Sequence, residues 1–278
     1  MIELLNKHKI GIALSGGGAK GLSHLGALKA IEDIGLKIDL IAGVSAGAIV
    51  GAFYADGQAP EEICELLSKG NLYKMASLTK PQNGGLAKID SYKQFLSKNI
   101  KARTFEELKY PLIINATELN SGKITYFEKG ELIDCVIASA SVPIFFTPTE
   151  INGKQYVDGG IFCNLPAAIL RKKGCELVIG IHVNPINPME NISGILQLSE
   201  RIFHLAVNGN TIEQKKKCDI VIEMSKTQTY GMFEANKAKE IYDIGYENAM
   251  KVLSQCDWEE LLTRIKIEHS YPHHTKRP

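Results

Sequence analysis

Short apolar runs alternate with helical patterns along this chain. Ile10 to Leu14 (IGIAL) is an unbroken apolar run closed by glycines, the mark of a short buried strand. Behind it Leu22, Leu25, Leu28, Ile31 and Ile34 recur at near-helical spacing until Gly35 ends the helix. Leu40 to Ala42 predicts a second strand, and the alanine-rich stretch Ala46 to Ala55 a second helix. Strand, helix, strand, helix in that order predicts a parallel sheet with helices on its faces.

The pattern continues less regularly. Pro60 followed by Glu61 and Glu62 predicts a helix start, with acids near its positive end. Asn71 to Asp90, centred on KPQNGG, reads as a surface excursion or a mobile lid. Strands are expected over Pro111 to Ala116 and Ile124 to Phe127, and a helix over Leu132 to Ala140. The turn signal Asn152-Gly153 between TPTEI and KQYV predicts a hairpin. After Asp158-Gly159-Gly160 come a helix near Ala167 to Lys172 and a strong strand over Leu177 to Val183. A long amphipathic helix fits Ile195 to Ile212, then a short strand over Asp219 to Glu223 and a helix ending near Leu253. No repeat, low-complexity tract or interdomain linker breaks the chain. The end, HSYPHHTKRP, is polar, and His269, His273 and His274 read as a solvated tail rather than a metal site.

Composition changes this picture little. The 278 residues are 45% hydrophobic and 23% charged, as in an ordinary globular domain. A net charge of +1 gives no field that would favour nucleic acid. Six scattered cysteines, without C-x-x-C or a histidine at metal-ligand spacing, predict reduced thiols and no bound metal. With no secretory signal, a cytoplasmic location is expected, peripheral to a membrane at most. The uncharged run Leu40 to Ala55 carries Gly43, Gly47 and Gly51 at GxxxG spacing. It falls short of the ~20 apolar residues a membrane span needs and is bounded by Asp39 and Asp56. A buried strand and helix explain it.

Three stretches can carry chemistry. Gly43-Val44-Ser45-Ala46-Gly47 matches G-x-S-x-G between a strand and a helix, the context in which a serine projects as a nucleophile. The same serine could instead cap the helix. A serine needs a base, and no histidine fits well: His182 ends a strand without an obvious acid partner, His204 falls among apolar neighbours, and His24 lies on the first helix. Asp158, at a strand end before two glycines, could serve directly if burial raises its basicity. It could also be a plain Asp-Gly turn bonding its own backbone. The glycine loop Ser15 to Gly26 fits the dinucleotide spacing, but Asp39 stands before the second strand, at the wrong end to reach a ribose. A Walker loop fails because Lys20 precedes Gly21 and no G-K-[ST] follows. What remains is a loop of backbone amides suited to a phosphate or to the oxyanion of an acyl intermediate, with Gly17 and Gly18 as donors.

Taken in order, GGGAKG (Gly16 to Gly21), GVSAG (Gly43 to Gly47) and DGG (Asp158 to Gly160) resemble the patatin-like phospholipase family, in its compact bacterial single-domain form. The resemblance implies a three-layer α/β/α sandwich around a mainly parallel sheet. It implies one catalytic domain over residues 1–255 and a C-terminal tail over 256–278, with no appended domain. It further implies a Ser45–Asp158 dyad, an oxyanion hole at Gly17 and Gly18, and Lys20 at the basic position of the glycine motif. Gly16, Gly21, Gly43, Gly47, Gly159 and Gly160 would support these motifs. The implied reaction is hydrolysis of lipid or other acyl esters without cofactor or metal, with transient contact to a membrane surface. The apolar wall for an acyl chain could come from SVPIFF (Ser141 to Phe146), although Phe145 and Phe146 suit an ordinary core equally. Lys215 to Lys217 could touch anionic lipid or simply end a solvated helix. A regulatory protein on the same scaffold and an acyltransferase are the alternatives, and oligomeric state is open.

Overall fold

A computed structural model describes residues 1–69, 85–87, 90–186, 188, 191–231 and 237–270. The apolar runs become α1 (Ile2–Leu5), β1 (Ile10–Leu14), α2 (Leu22–Asp33), β2 (Leu40–Gly43), α3 (Ala46–Ala55) and α4 (Pro60–Lys69). The middle of the chain holds β3 (Gly85–Ala87), α5 (Asp90–Asn99), β4 (Leu112–Glu118), β5 (Lys123–Phe127), α6 (Leu132–Ser139), β6 (Ile144–Phe146), β7 (Thr149–Ile151) and β8 (Lys154–Asp158). Then follow α7 (Ala167–Lys172), β9 (Leu177–His182), α8 (Ile195–Lys215), β10 (Ile220–Glu223), α9 (Ala238–Ser254) and α10 (Trp258–Ser270).

The main sheet runs β10-β9-β1-β2-β4-β8-β7, with β5 also paired to β4. From β10 to β4 every neighbour is parallel. Beyond β4 the pairing with β5, β8 and β7 is antiparallel. The expected hairpin is present: Asn152 and Gly153 both take positive φ (51° and 74°), as the tight β7–β8 turn requires.

Side chains alternate across β1 and so build two cores. Ile10, Ile12 and Leu14 join α2, α3, α4, α6 and α9 on one face. Ala13 faces the other way, with Leu165 and with Ala167 and Leu170 of α7. Helices therefore cover both faces of a mainly parallel sheet, the three-layer sandwich expected. Among the described residues, no helix is long and apolar enough to cross a membrane.

Two stretches differ from the simple pattern. The loop or lid expected over Asn71 to Asp90 lies mostly outside the described residues. What is described within it includes β3, which pairs in parallel with β6 as a separate small sheet. The segment expected as a tail contains α10, whose Leu262 and Ile265 are 5% and 1% exposed and join the main core. Polar residues dilute that helix enough to hide its apolar stripe; the final residues, 271–278, lie outside the described part.

Candidate active site

The parallel strands β1 and β2 end side by side, Leu14 opposite Gly43, and both chains then turn sharply into helices. After β2, Ser45 takes φ 54° and ψ −120°, a strained conformation for a residue with a side chain, and α3 starts at the next residue. The turn fits because its flanks are glycine. A Cβ on Gly43 would lie 2.4 Å from the Gly47 carbonyl, and one on Gly47 2.3 Å from the Leu14 carbonyl. The Ser45 side chain makes no cap hydrogen bond, so capping does not explain it. Its amide donates to Ser139 Oγ (2.9 Å), which in turn donates to the Asn115 carbonyl (2.8 Å). The Ser45 backbone is thus held at the end of the central strand β2, where the positive end of α3 begins.

Asp158 reaches the same place from the antiparallel side of the sheet. It ends β8 opposite Ala116 of β4 and is 1% exposed. Its Oδ1 accepts from the Gly160 amide at 2.7 Å, the turn bond expected of an Asp-Gly pair. The second oxygen, Oδ2, is buried without a hydrogen-bond partner. Burial pushes the acid up to about 6, while the nearby Ser45 hydroxyl and the Gly160 amide pull it down. Ser45 and Asp158 thus face one cleft, and the Ser45 hydroxyl acts on the carboxyl as a hydrogen-bonding neighbour.

The glycine loop completes the group. Gly16, Gly17 and Gly18 line one cleft with Ser45 and Asp158, and a Cβ on Gly16 would sit 3.2 Å from Ser45 Cβ. Gly21 abuts the start of α3, where an added Cβ would fall 2.6 Å from Ala46 Cβ. Gly159 packs on the Asn115 carbonyl and Gly160 against Asn164. Lys20 stands just outside this group: it is buried, with its ammonium 2.8 Å from Asn184 Oδ1.

The structure brings Ser45, Asp158 and the glycine loop together and leaves two of the three histidines aside. His24 Nε2 lies 2.8 Å from the Ser15 carbonyl, to which it donates, and burial lowers its pKa to about 4. His182 Nδ1 lies 3.3 Å from Glu223 Oε2. Neither lines the cleft. His204 does, from α8, but burial and then the Lys20 and Arg201 charges push it down to about 4, so it is neutral at pH 7. Asp39 accepts from the Ile10 amide (2.7 Å) at the opposite end of β1, away from the loop.

Other wall residues carry no local sequence signal. Asn164 and Asn184, Tyr92 of α5, Ile49 of α3, and Phe203 and Val207 of α8 come from separate parts of the chain. From SVPIFF, Val142 and Phe146 face the cleft, whereas Phe145 belongs to the core without lining it. The cleft holds about 550 Å³ of empty space, mouth included. Ile49, Val142, Phe146, Phe203 and Val207 give it apolar walls, interrupted by Asn164, Asn184 and His204, and no cluster of metal ligands exists among the described residues.

The chain is similar to known proteins in sequence and in fold. The patatin-like phospholipase family model matches residues 12–171. The chain is 27% identical to lysophospholipase NTE1 of Kluyveromyces lactis over 88% of its own length, but it spans only 19% of that protein. It is 24% identical to patatin-like phospholipase domain-containing protein 6 of Mus musculus, covering 95% of this chain and 22% of the relative. In fold it is similar to VipD from Legionella pneumophila (TM-score 0.53, 14% identity, 89% of this chain and 67% of that one). It is likewise similar to human GIVD cytosolic phospholipase A2 in complex with methyl gamma-linolenyl fluorophosphonate (TM-score 0.51, 10% identity, 95% and 60%). With the family model spanning more than half of its length, the chain belongs to the patatin-like phospholipases, a family of lipid carboxylic-ester hydrolases.

Proposed function

We propose that this chain is a serine acyl hydrolase acting on lipid esters, with Ser45 as nucleophile, Asp158 as its base and the Gly17 and Gly18 amides as oxyanion donors. One observation supports this reading above the others: a strained, uncapped serine beside a buried carboxylate whose Oδ2 has no other partner. Asp158 takes the Ser45 proton as Oγ attacks the ester carbonyl, and the loop amides bind the developing negative oxygen. The tetrahedral intermediate collapses to acyl-Ser45, and the alkoxide leaves with the proton from Asp158. Water, giving a proton to the same carboxylate, then releases the fatty acid and restores Ser45. Asp158 suits both steps because a group near pH 6 is mostly ionised at pH 7 yet basic enough to accept a proton.

A lipid surface fits one further feature. Helix α8 lines the cleft with Phe203 and Val207, while Ile195, Leu198, Ile202 and Leu205 on its outer side are between 42% and 73% exposed. An exposed apolar face on the helix that walls the cleft is suited to resting on a bilayer. Lys215 and Lys216 do not extend it, since they pair with Glu223 and Glu213.

The test is a fluorophosphonate probe together with mass spectrometry of lipid products. Wild type becomes labelled and releases fatty acid from a lysophospholipid, whereas Ser45→Ala does neither and Asp158→Asn labels far more slowly. A folded wild-type protein that stays unlabelled would count for the regulatory alternative. An added alcohol that captures the acyl group in place of water would make the enzyme a transferase.

A further inference from the structure

Ser45 and Asp158 follow strands that are not neighbours, since β4 stands between β2 and β8. The bonds that hold their turns together come from β4 and from the end of α6. Ser139, the last residue of α6, accepts the Ser45 amide on Oγ (2.9 Å) and donates the same hydroxyl to the Asn115 carbonyl of β4 (2.8 Å). The Asn115 side chain continues the line, its Nδ2 donating to the Gly159 and Cys163 carbonyls (3.2 and 3.1 Å) just after Asp158. Thr117 Oγ1 donates to the Asp158 carbonyl (3.0 Å), and the Ser141 carbonyl accepts the Asp158 amide (2.9 Å). Ser139 and Asn115 are fully buried, so water does not compete for their bonds. Asn115 also departs from its strand: Ile113, Ile114 and Ala116 around it are apolar, and its Oδ1 is buried without a hydrogen-bond partner. An unpaired buried acceptor lowers stability, so packing alone does not account for asparagine at this position.

We propose that Ser139 is the positioning residue of the dyad, its one oxygen holding the Ser45 turn directly and the Asp158 turn through Asn115. The inference rests on the hydrolase reading above. A hydroxyl has a single proton, here committed to Asn115 while a lone pair takes the Ser45 amide, so the two bonds fix one geometry. Ser45 needs such a hold because its φ of 54° is strained and persists only where the surroundings determine it. Asp158 needs one because its Oδ1 is anchored on the Gly160 amide of the same turn, so the carboxylate moves with that turn. Removing the Ser139 oxygen takes a partner from the Ser45 amide and from the Asn115 carbonyl at once. The two turns then relax independently, and Oγ and the carboxylate lose their mutual placement.

The experiment uses the full chain and a soluble short-chain ester. Ser139→Ala is expected to lower kcat about 10- to 100-fold with KM within twofold, the scale of a misplaced reacting group. Thr227→Ala is the control. It removes another fully buried hydroxyl, which serves the Val183 and Met224 carbonyls, and should lower Tm while kcat stays within twofold. A Ser139→Ala enzyme whose kcat matches that of Thr227→Ala, or whose loss lies in KM alone, overturns the proposal. Asn115→Ala tests the other end of the link and should show the same split of kcat from KM. Unchanged kcat in that variant overturns the proposal too, including where Ser139→Ala does not fold. Backbone amide exchange read by NMR needs no turnover, and so separates this question from failure of the hydrolase reading. Ser139→Ala should speed exchange at Gly160 as well as at Ser45 by about tenfold, the scale of one lost hydrogen bond, and Thr227→Ala at neither. Faster exchange at Ser45 alone overturns the link to Asp158. A wild type that turns over no ester yet shows the coupled exchange counts against the hydrolase reading and for the link.

Discussion

Two regions meet at the cleft. Ser45, Asp158 and the glycine loop sit at strand ends, where glycines let backbones touch and almost every neighbour is fixed. Helix α8 closes the same cleft with Phe203, His204 and Val207, but its other side is bare, with Ile195 73% and Ile202 58% exposed. At the strand ends position is set by main-chain packing, so small changes propagate into the chemistry. On α8 the two sides of one helix are decoupled, and the outer side can change without moving the inner. The proposed division follows: reaction chemistry on the rigid ends, and contact with lipid on the helix.

The sharpest way to break this contrast is Asp158→Asn. Removing the base is expected to lower kcat by about 10²- to 10⁴-fold, read in a continuous ester assay. Stability should move the other way. Burial raises the Asp158 pKa from 3.8 to about 6, so the folded state favours the neutral acid. Its stabilising effect is complete below the unfolded pKa and is lost as pH rises through about 6. At pH 8 the charged side chain therefore costs the native state about 3 kcal/mol. Asparagine keeps an acceptor for the Gly160 amide and carries no charge, so the variant should melt several degrees higher at pH 8, with no such gain at pH 4. The same ionisation predicts that wild-type kcat/KM falls about tenfold per pH unit below about 6. A variant that loses stability equally at both pH values would contradict the buried-acid account.

Gly17→Ala comes next in size. The φ of Gly17, 167°, lies outside the left-handed region that favours glycine, but an alanine Cβ would lie 2.5 Å from Val183 Cγ2. Val183 is fully buried on a stiff branched side chain and has little room to retreat. The loop must therefore shift, at a cost of about 1–3 kcal/mol in stability. If its amides bind the oxyanion, the displacement should lower kcat by up to about 10²-fold with little change in KM. Denaturant melts and steady-state kinetics on a soluble ester read both numbers. Unaltered kcat in a measurably destabilised variant would remove Gly17 from the proposed oxyanion hole.

This contrast also explains what could be read from the sequence. The strand-end features are local: an apolar run, a glycine pattern and a serine or aspartate within a few residues, so β1, β2 and the meeting of their loops were legible. The two alternatives attached to them were not. Whether Ser45 caps α3, and whether Asp158 Oδ2 has a partner, depends on side-chain direction, which residue type does not encode. The α8 wall was invisible for another reason. Phe203 and His204 carry no motif, and their place beside Ser45 follows from α8 packing across the turn after β8, where Asn210 donates to the Gly160 and Ile161 carbonyls. Helix α10 was missed because its two core residues, Leu262 and Ile265, stand among charges that read as a tail.

The outer side of α8 provides the smaller effects. Ile202→Asp places a charge in the middle of the exposed apolar face. It should weaken binding to phospholipid vesicles several-fold in a sedimentation assay, while kcat on a soluble short-chain ester stays within twofold. Equal vesicle binding by the variant would remove this face from the lipid surface. Gly209→Ala is the mildest change and the direct counterpart of Gly17→Ala. Gly209 lies inside α8, and an added Cβ would meet nothing within 4 Å. With no contact to disturb, only the backbone responds, and alanine removes the entropy that glycine loses in a helix. The variant should gain about 0.5–1 kcal/mol and keep its kcat. The same substitution, a single methyl group, is thus expected to damage the strand end and to strengthen the helix. If Gly209→Ala instead lowered kcat, the two sides of α8 would be coupled, and chemistry and recognition could not be assigned to separate regions.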